Sequence, residues 1–136
     1  MIQKILVGTD TSAAADLAVE AAADLARAHD AELLVLYVKP PIDAREVFDP
    51  GKLPDPDGYL DRMPQRFPGV KVGGRVESGD PAETICDVAE AEGFDTIVIG
   101  NRGTHGKKRW FLGSVPNAVV QHSPCSVFVA DTRRAQ

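Results

Sequence analysis

Short runs of branched apolar residues recur along this chain, and between them the apolar positions shift to helical spacing. The first run, Ile5-Leu6-Val7, stops at Gly8-Thr9-Asp10. From Ser12 to His29 the residues Ala14, Leu17, Ala18, Ala21, Leu25 and Ala28 recur at helical period, with Asp16, Glu20 and Asp24 between them. Ser12 supplies the hydroxyl that a helix N-cap uses. Leu33 to Val38 is almost uninterrupted apolar sequence, the pattern of a strand covered on both faces. Lys71 to Ser78 predicts a weaker, more polar strand. Asp80-Pro81-Ala82-Glu83 marks a helix start, with Asp80 as cap, Pro81 at the first helical position and Glu83 closing a capping box. Thr96-Ile97-Val98-Ile99 is a fourth strand ending at Gly100, a last helix runs from about Ser114 to Gln121, and Ser126 to Ala130 makes a fifth strand.

This alternation predicts an α/β fold: a five-stranded, mostly parallel sheet with helices on both faces, Rossmann-like, joined by right-handed crossovers. The 136 residues fit a single domain spanning 1–136. In open sheets of this kind, ligands sit at the carboxyl ends of the strands, where the strand order reverses. The functional candidates are therefore the loops after strands one, two and four: Gly8–Ser12, Val38–Pro41 and Gly100–Gly113.

Charge and composition narrow the partners. A formal net charge of -5 argues against a general affinity for nucleic acid or anionic membranes. No run approaches the roughly 20 apolar residues that span a bilayer. The chain begins with its first strand rather than with a leader pattern, which makes the cytoplasm the expected location. Cys86 and Cys125 are too few for a disulfide framework and have no metal-ligand spacing, in keeping with a reducing compartment.

One stretch breaks the pattern. A second crossover helix is expected between Val38 and Val70, yet Pro40, Pro41, Pro50, Pro54, Pro56, Pro64 and Pro68 punctuate it. Proline in a helix interior costs about 3 kcal/mol, so at most one or two turns fit, around Gly58–Met63. The expectation is a loose surface connection or a lid over the site.

The loop after the fourth strand concentrates the chemistry. It carries glycines at 100, 103, 106 and 113, residues that allow positive φ and close approach to a ligand. Gly113-Ser114 falls where the last helix begins, so free amides and the helix dipole offer an anion site there, and Pro116 in the first turn removes no needed donor. Arg102, Lys107, Lys108 and Arg109 add positive charge beside it. The loop is not a P-loop: Lys108 stands where Ser or Thr would hold magnesium, and Asn101 stands where the first glycine belongs. A phosphorylated small molecule is the guest these residues predict, with a solvated basic loop as the alternative.

The spacing Gly100-x2-Gly103-x9-Gly113-Ser114 resembles the ATP-binding signature of the universal stress protein family. The likeness covers nearly the whole chain: Ile5 to Ser12 is similar to the family's opening strand and acidic turn, Gly79 to Ala82 to its third-helix start, and Leu112 to Val115 with Ser123 to Val127 to its C-terminal segment. Only Pro40–Gly69, where the family has a proper helix, matches poorly. The resemblance implies an adenine nucleotide alpha-hydrolase-like fold and a nucleotide site made by Thr9, Asp10, Val38, Ile99, Gly100, Arg102, Gly103, Gly113, Ser114 and Val115. By it, Asp10 reaches the ribose hydroxyls or a phosphate-bound Mg2+ or Mn2+, and Val38 bonds adenine through its backbone. Ile99 and Gly100 line the ribose, Arg102 and Gly103 border the phosphates, and Gly113, Ser114 and Val115 hold them.

The resemblance also implies a homodimer, in which Val127-Phe128-Val129 of the last strand, Ser126–Ala130, pairs with its copy. The function expected is that of an ATP-binding regulatory module of the stress response, with at most weak hydrolysis and no assigned catalytic residue. Cyclic AMP or AMP as the ligand, and a slow ATPase or phosphotransferase activity, are the alternatives.

Overall fold

Every strand expected from the sequence is present, in one sheet. The computed structural model describes residues 1–39, 56–101 and 112–133. In chain order the elements are β1 (Lys4–Thr9), α1 (Ala13–His29), β2 (Glu32–Lys39), α2 (Pro56–Asp61), α3 (Met63–Arg66), β3 (Lys71–Ser78), α4 (Pro81–Glu92), β4 (Thr96–Gly100), α5 (Ser114–His122) and β5 (Ser126–Ala130). The sheet runs β3-β2-β1-β4-β5, and every neighbouring pair is parallel.

Local chemistry sets the helix ends. The Ser12 side chain accepts the Ala15 amide and Asp80 accepts the Glu83 amide, each satisfying a donor that the first helical turn leaves open. Asp30 and Gly93 close α1 and α4 in the left-handed region, at φ 52° and 72°.

Two apolar layers sandwich the sheet, because successive strand residues point to opposite faces. Ile5, Val7, Val35 and Val98 pack beneath α1, whose Ala18, Ala22 and Ala26 are small enough to let the helix sit close. Leu6, Leu36, Ile97 and Ile99 face α4 and α5, against Ile85, Ala89 and Val119. The central strands are thus buried on both sides, as their unbroken apolar runs require.

The second half of the proline-rich connection departs from expectation. Residues 56–67 form neither a loose connection nor a lid: Leu60, Met63 and Phe67 are buried in the same layer as α1. Its prolines are compatible with helix because they fall at helix starts, with Pro56 opening α2 and Pro64 in the first turn of α3. Gly74 of β3 makes the seat, since a Cβ there would lie 2.7 Å from the Leu60 Cβ. Ion pairing fixes the outer side: Arg66 grips both Asp16 carboxylate oxygens at 2.6 Å and reaches Glu20 at 3.2 Å.

Candidate functional site

The strand order reverses between β1 and β4, the place where a ligand crevice forms in a doubly wound sheet. The register of these two strands covers Ile5 to Val7 opposite Thr96 to Val98 and goes no further. On the outer sides pairing continues to Thr9–Tyr37 and to Gly100–Ala130. Thr9 and Gly100 therefore border an unpaired notch at the carboxyl end of the sheet.

On one side of the notch stands the turn from Thr9 to Ser12. The buried Thr9 accepts the Thr11 amide at 3.0 Å, and the exposed Asp10 accepts the Ser12 amide at 2.9 Å through Oδ1. These bonds hold Thr11 at φ 66°, a conformation that few non-glycine residues adopt. The turn thereby presents the Asp10 carboxylate beside the notch. Tyr37 lies in register with Thr9, and its phenol is pushed above the ordinary value by burial and by the Asp10 charge. Val38, buried in the α4 layer, is one residue beyond the last β1–β2 pair.

The other side is organised by Asn101, which sequence reasoning left out of the site. Its amide donates to the Ala130 carbonyl at 2.9 Å and its carbonyl accepts the Gly113 amide at 3.0 Å. Its Oδ1 accepts both the amide and the hydroxyl of the buried Thr132, at 3.0 and 2.8 Å. One side chain and its backbone thus tie the end of β4 to the start of α5 and the exit of β5. The only hint in the sequence is an Asn directly after a strand-ending glycine, a common turn pairing.

Helix α5 begins as expected, with Gly113 as N-cap. The Gly113 amide is engaged by Asn101 and Pro116 has none, so Ser114 and Val115 supply the first-turn donors at this positive helix end. Ser114 is exposed, whereas Val115 is half-buried against the α4 layer. The reason for glycine here differs from the expected one. Gly113 has φ -61°, open to any residue, and Gly100 is an ordinary strand residue. Close approach, rather than positive φ, is what a glycine at these two positions permits.

Of the expected site residues, Thr9, Asp10, Val38, Ile99, Gly100, Gly113, Ser114 and Val115 stand at the carboxyl ends of β1, β2 and β4 and at the start of α5. Arg102 and Gly103, with the basic residues Lys107, Lys108 and Arg109, lie outside the described residues. Among the described residues there is no group of three or more His, Cys, Asp or Glu able to hold a metal by itself. A divalent ion here would rest on Asp10 plus ligand phosphates, the arrangement Mg2+ commonly takes. Among the same residues no helix is long and apolar enough to cross a membrane.

Fold and notch together define a doubly wound α/β protein with a switch-point site. The sequence model of the universal stress protein family matches residues 1–131. Universal stress protein YxiE of Bacillus subtilis is 32% identical over 146 residues, covering 95% of this chain and 99% of its own. Among solved structures, universal stress protein UspA from Lactobacillus plantarum superposes with a TM-score of 0.74 at 31% identity, over 93% of this chain and 96% of its own. A universal stress protein solved in complex with cAMP gives a TM-score of 0.75 at 25% identity, over 96% and 97%. The chain belongs to the universal stress protein family.

Proposed function

We propose that this chain binds an adenine nucleotide, ATP foremost, in the notch between β1 and β4, and that it works as a cytoplasmic, homodimeric regulatory module rather than as an enzyme. The observation that carries the reading is convergence. The Asp10 turn, the end of β2 at Val38 and the amide-bearing start of α5 all gather where the strand order reverses. In this reading the Ser114 and Val115 amides and the Ser114 hydroxyl hold phosphate at the α5 terminus. Arg102 and Gly103 flank it, and Ile99 and Gly100 line the ribose. Asp10 takes the ribose hydroxyls or a phosphate-bound Mg2+ or Mn2+, while the Val38 backbone meets adenine. The homodimer finds support in β5, an edge strand whose Phe128 and Val129 are exposed.

Replacing Gly113 with leucine tests the phosphate end. The backbone there tolerates any side chain, so Gly113→Leu should leave the fold and Tm unchanged while abolishing ATP binding in equilibrium dialysis. Unchanged affinity would remove the α5 terminus from the site. Sustained phosphate release, lost in Asp10→Ala, would replace the module reading with an enzyme.

A second ligand has an observation in its favour, the similar universal stress protein solved with cAMP. The two are separable by metal dependence. A triphosphate gains from Mg2+ shared with Asp10, whereas a cyclic monophosphate has one charge and little use for it. Binding of cAMP tighter than ATP, indifferent to Mg2+, would favour that ligand.

A further inference from the structure

We infer that Tyr59, far from the notch in sequence, is a positioning residue for the nucleotide site, holding the Asp10 turn through Thr9. The inference rests on the nucleotide reading above and extends it to a residue on the other side of the sheet's α1 layer.

The Tyr59 hydroxyl donates to Asp16 Oδ1 at 2.6 Å. Asp16 is itself fixed, both of its oxygens gripped by the Arg66 guanidinium. Because its proton goes to Asp16, the phenol oxygen is left as an acceptor, and the Thr9 side chain is its other hydrogen-bonding partner. Thr9 in turn accepts the Thr11 amide at 3.0 Å. The bonds therefore run in one direction, from the Thr11 amide to Thr9, to Tyr59, to the Asp16 carboxylate. Chains of this kind polarise one another when partly buried. Burial first, then the bond to Asp16, push the Tyr59 phenol up to about 12, so it remains a donor throughout the physiological range.

What the chain holds is the strained element of the site. Thr11 sits at φ 66° with Asp10 immediately before it, and such conformations persist where surrounding bonds over-determine them. Tyr59 is placed to do this by the packing of its own helix. Leu60, the next residue, is buried against Gly74, and Met63 and Phe67 follow it into the core. The docked α2 and α3 segment thus has a use beyond covering apolar surface: it braces the turn that carries the site's acidic side chain.

The test uses Tyr59→Phe, which keeps the ring and removes only the hydroxyl. In the full chain without ligand, amide exchange at Thr11 should accelerate several-fold while Ile85 in α4 keeps its protection. The Kd for Mg-ATP should rise about 3- to 10-fold, the range of one lost hydrogen bond. In an Asp10→Ala background the same substitution should leave the Kd unchanged, because Tyr59 acts through that turn. Thr9→Val should loosen Thr11 equally, and adding Tyr59→Phe to it should change nothing more. Unaltered Thr11 exchange in Tyr59→Phe overturns the inference. So does an equal loss of protection at Thr11 and Ile85, which would mark a purely structural residue. If wild-type protein binds no nucleotide, the nucleotide reading fails, and the exchange at Thr11 still decides whether Tyr59 braces the turn.

Discussion

Met63 is the sharpest probe of the packed connection between β2 and β3. It lies on a four-residue helix in the proline-rich part of the chain, yet it is only 1% exposed. It packs in the layer that holds Ile5, Val7 and the alanine face of α1. Truncating a buried methionine to alanine removes its transfer free energy and leaves a cavity, together costing about 2–5 kcal/mol. On a loose surface segment the same change would stay within about 0.5 kcal/mol. At this chain length, each kcal/mol corresponds to roughly 4 °C in Tm. Met63→Ala should therefore lower Tm by about 8–20 °C and move the urea midpoint without altering the m-value. Gln65, exposed on the same helix, supplies the control, and Gln65→Ala should be close to neutral. A Met63→Ala loss below about 0.5 kcal/mol would refute the docked segment and, with it, the placement of Tyr59.

Two further outcomes follow from the same region. Gly74→Ala puts a methyl 2.7 Å from the Leu60 Cβ, and backbone-proximal crowding of this kind costs about 1–3 kcal/mol; denaturant unfolding that shows no loss would contradict the close seat. For Asp16, burial opposes ionisation, but the hydrogen bonds from Arg66 and Tyr59 outweigh it and hold the carboxyl below the ordinary 3.8. A carboxyl depressed in the folded state stabilises the protein above its unfolded pKa, and that stabilisation is lost as pH falls through the folded value. Asp16→Asn should therefore be less stable than wild type at neutral pH, with the gap closing below the ordinary 3.8; a gap independent of pH would rule out the ion pair as its source.

Strand positions were legible because fully buried strands need unbroken apolar runs, and Ile5-Leu6-Val7 and Leu33 to Val38 supply them. The caps at Ser12 and Asp80 were legible for the same local reason: a short polar side chain stands just ahead of a helical pattern. The docked half of the crossover was not. Leu60, Met63 and Phe67 have the 3- and 4-residue spacing of a helix face, but the prolines around them argue for breakage until it is known that they stand at helix starts. The site was legible where topology alone places it, at Thr9, Asp10, Val38 and Gly113. It was opaque where a side chain acts across a long separation. Asp16 looks like a solvated spacer until Tyr59 and Arg66 arrive from 43 and 50 residues away. Asn101 likewise shows its role only once Thr132 and Gly113 are brought to it. The turn at Thr11 has no glycine to betray its positive φ, so only the folded chain reveals it.

The central claim is that the notch between β1 and β4 is an adenine-nucleotide site. Isothermal titration of the purified full chain with ATP, ADP, AMP and cyclic AMP, each with and without Mg2+, tests it most directly. The account predicts saturable binding of ATP below millimolar concentration, one nucleotide per chain, strengthened by Mg2+ and weakened by Asp10→Ala. No heat of binding from any of the four below millimolar concentration would contradict it.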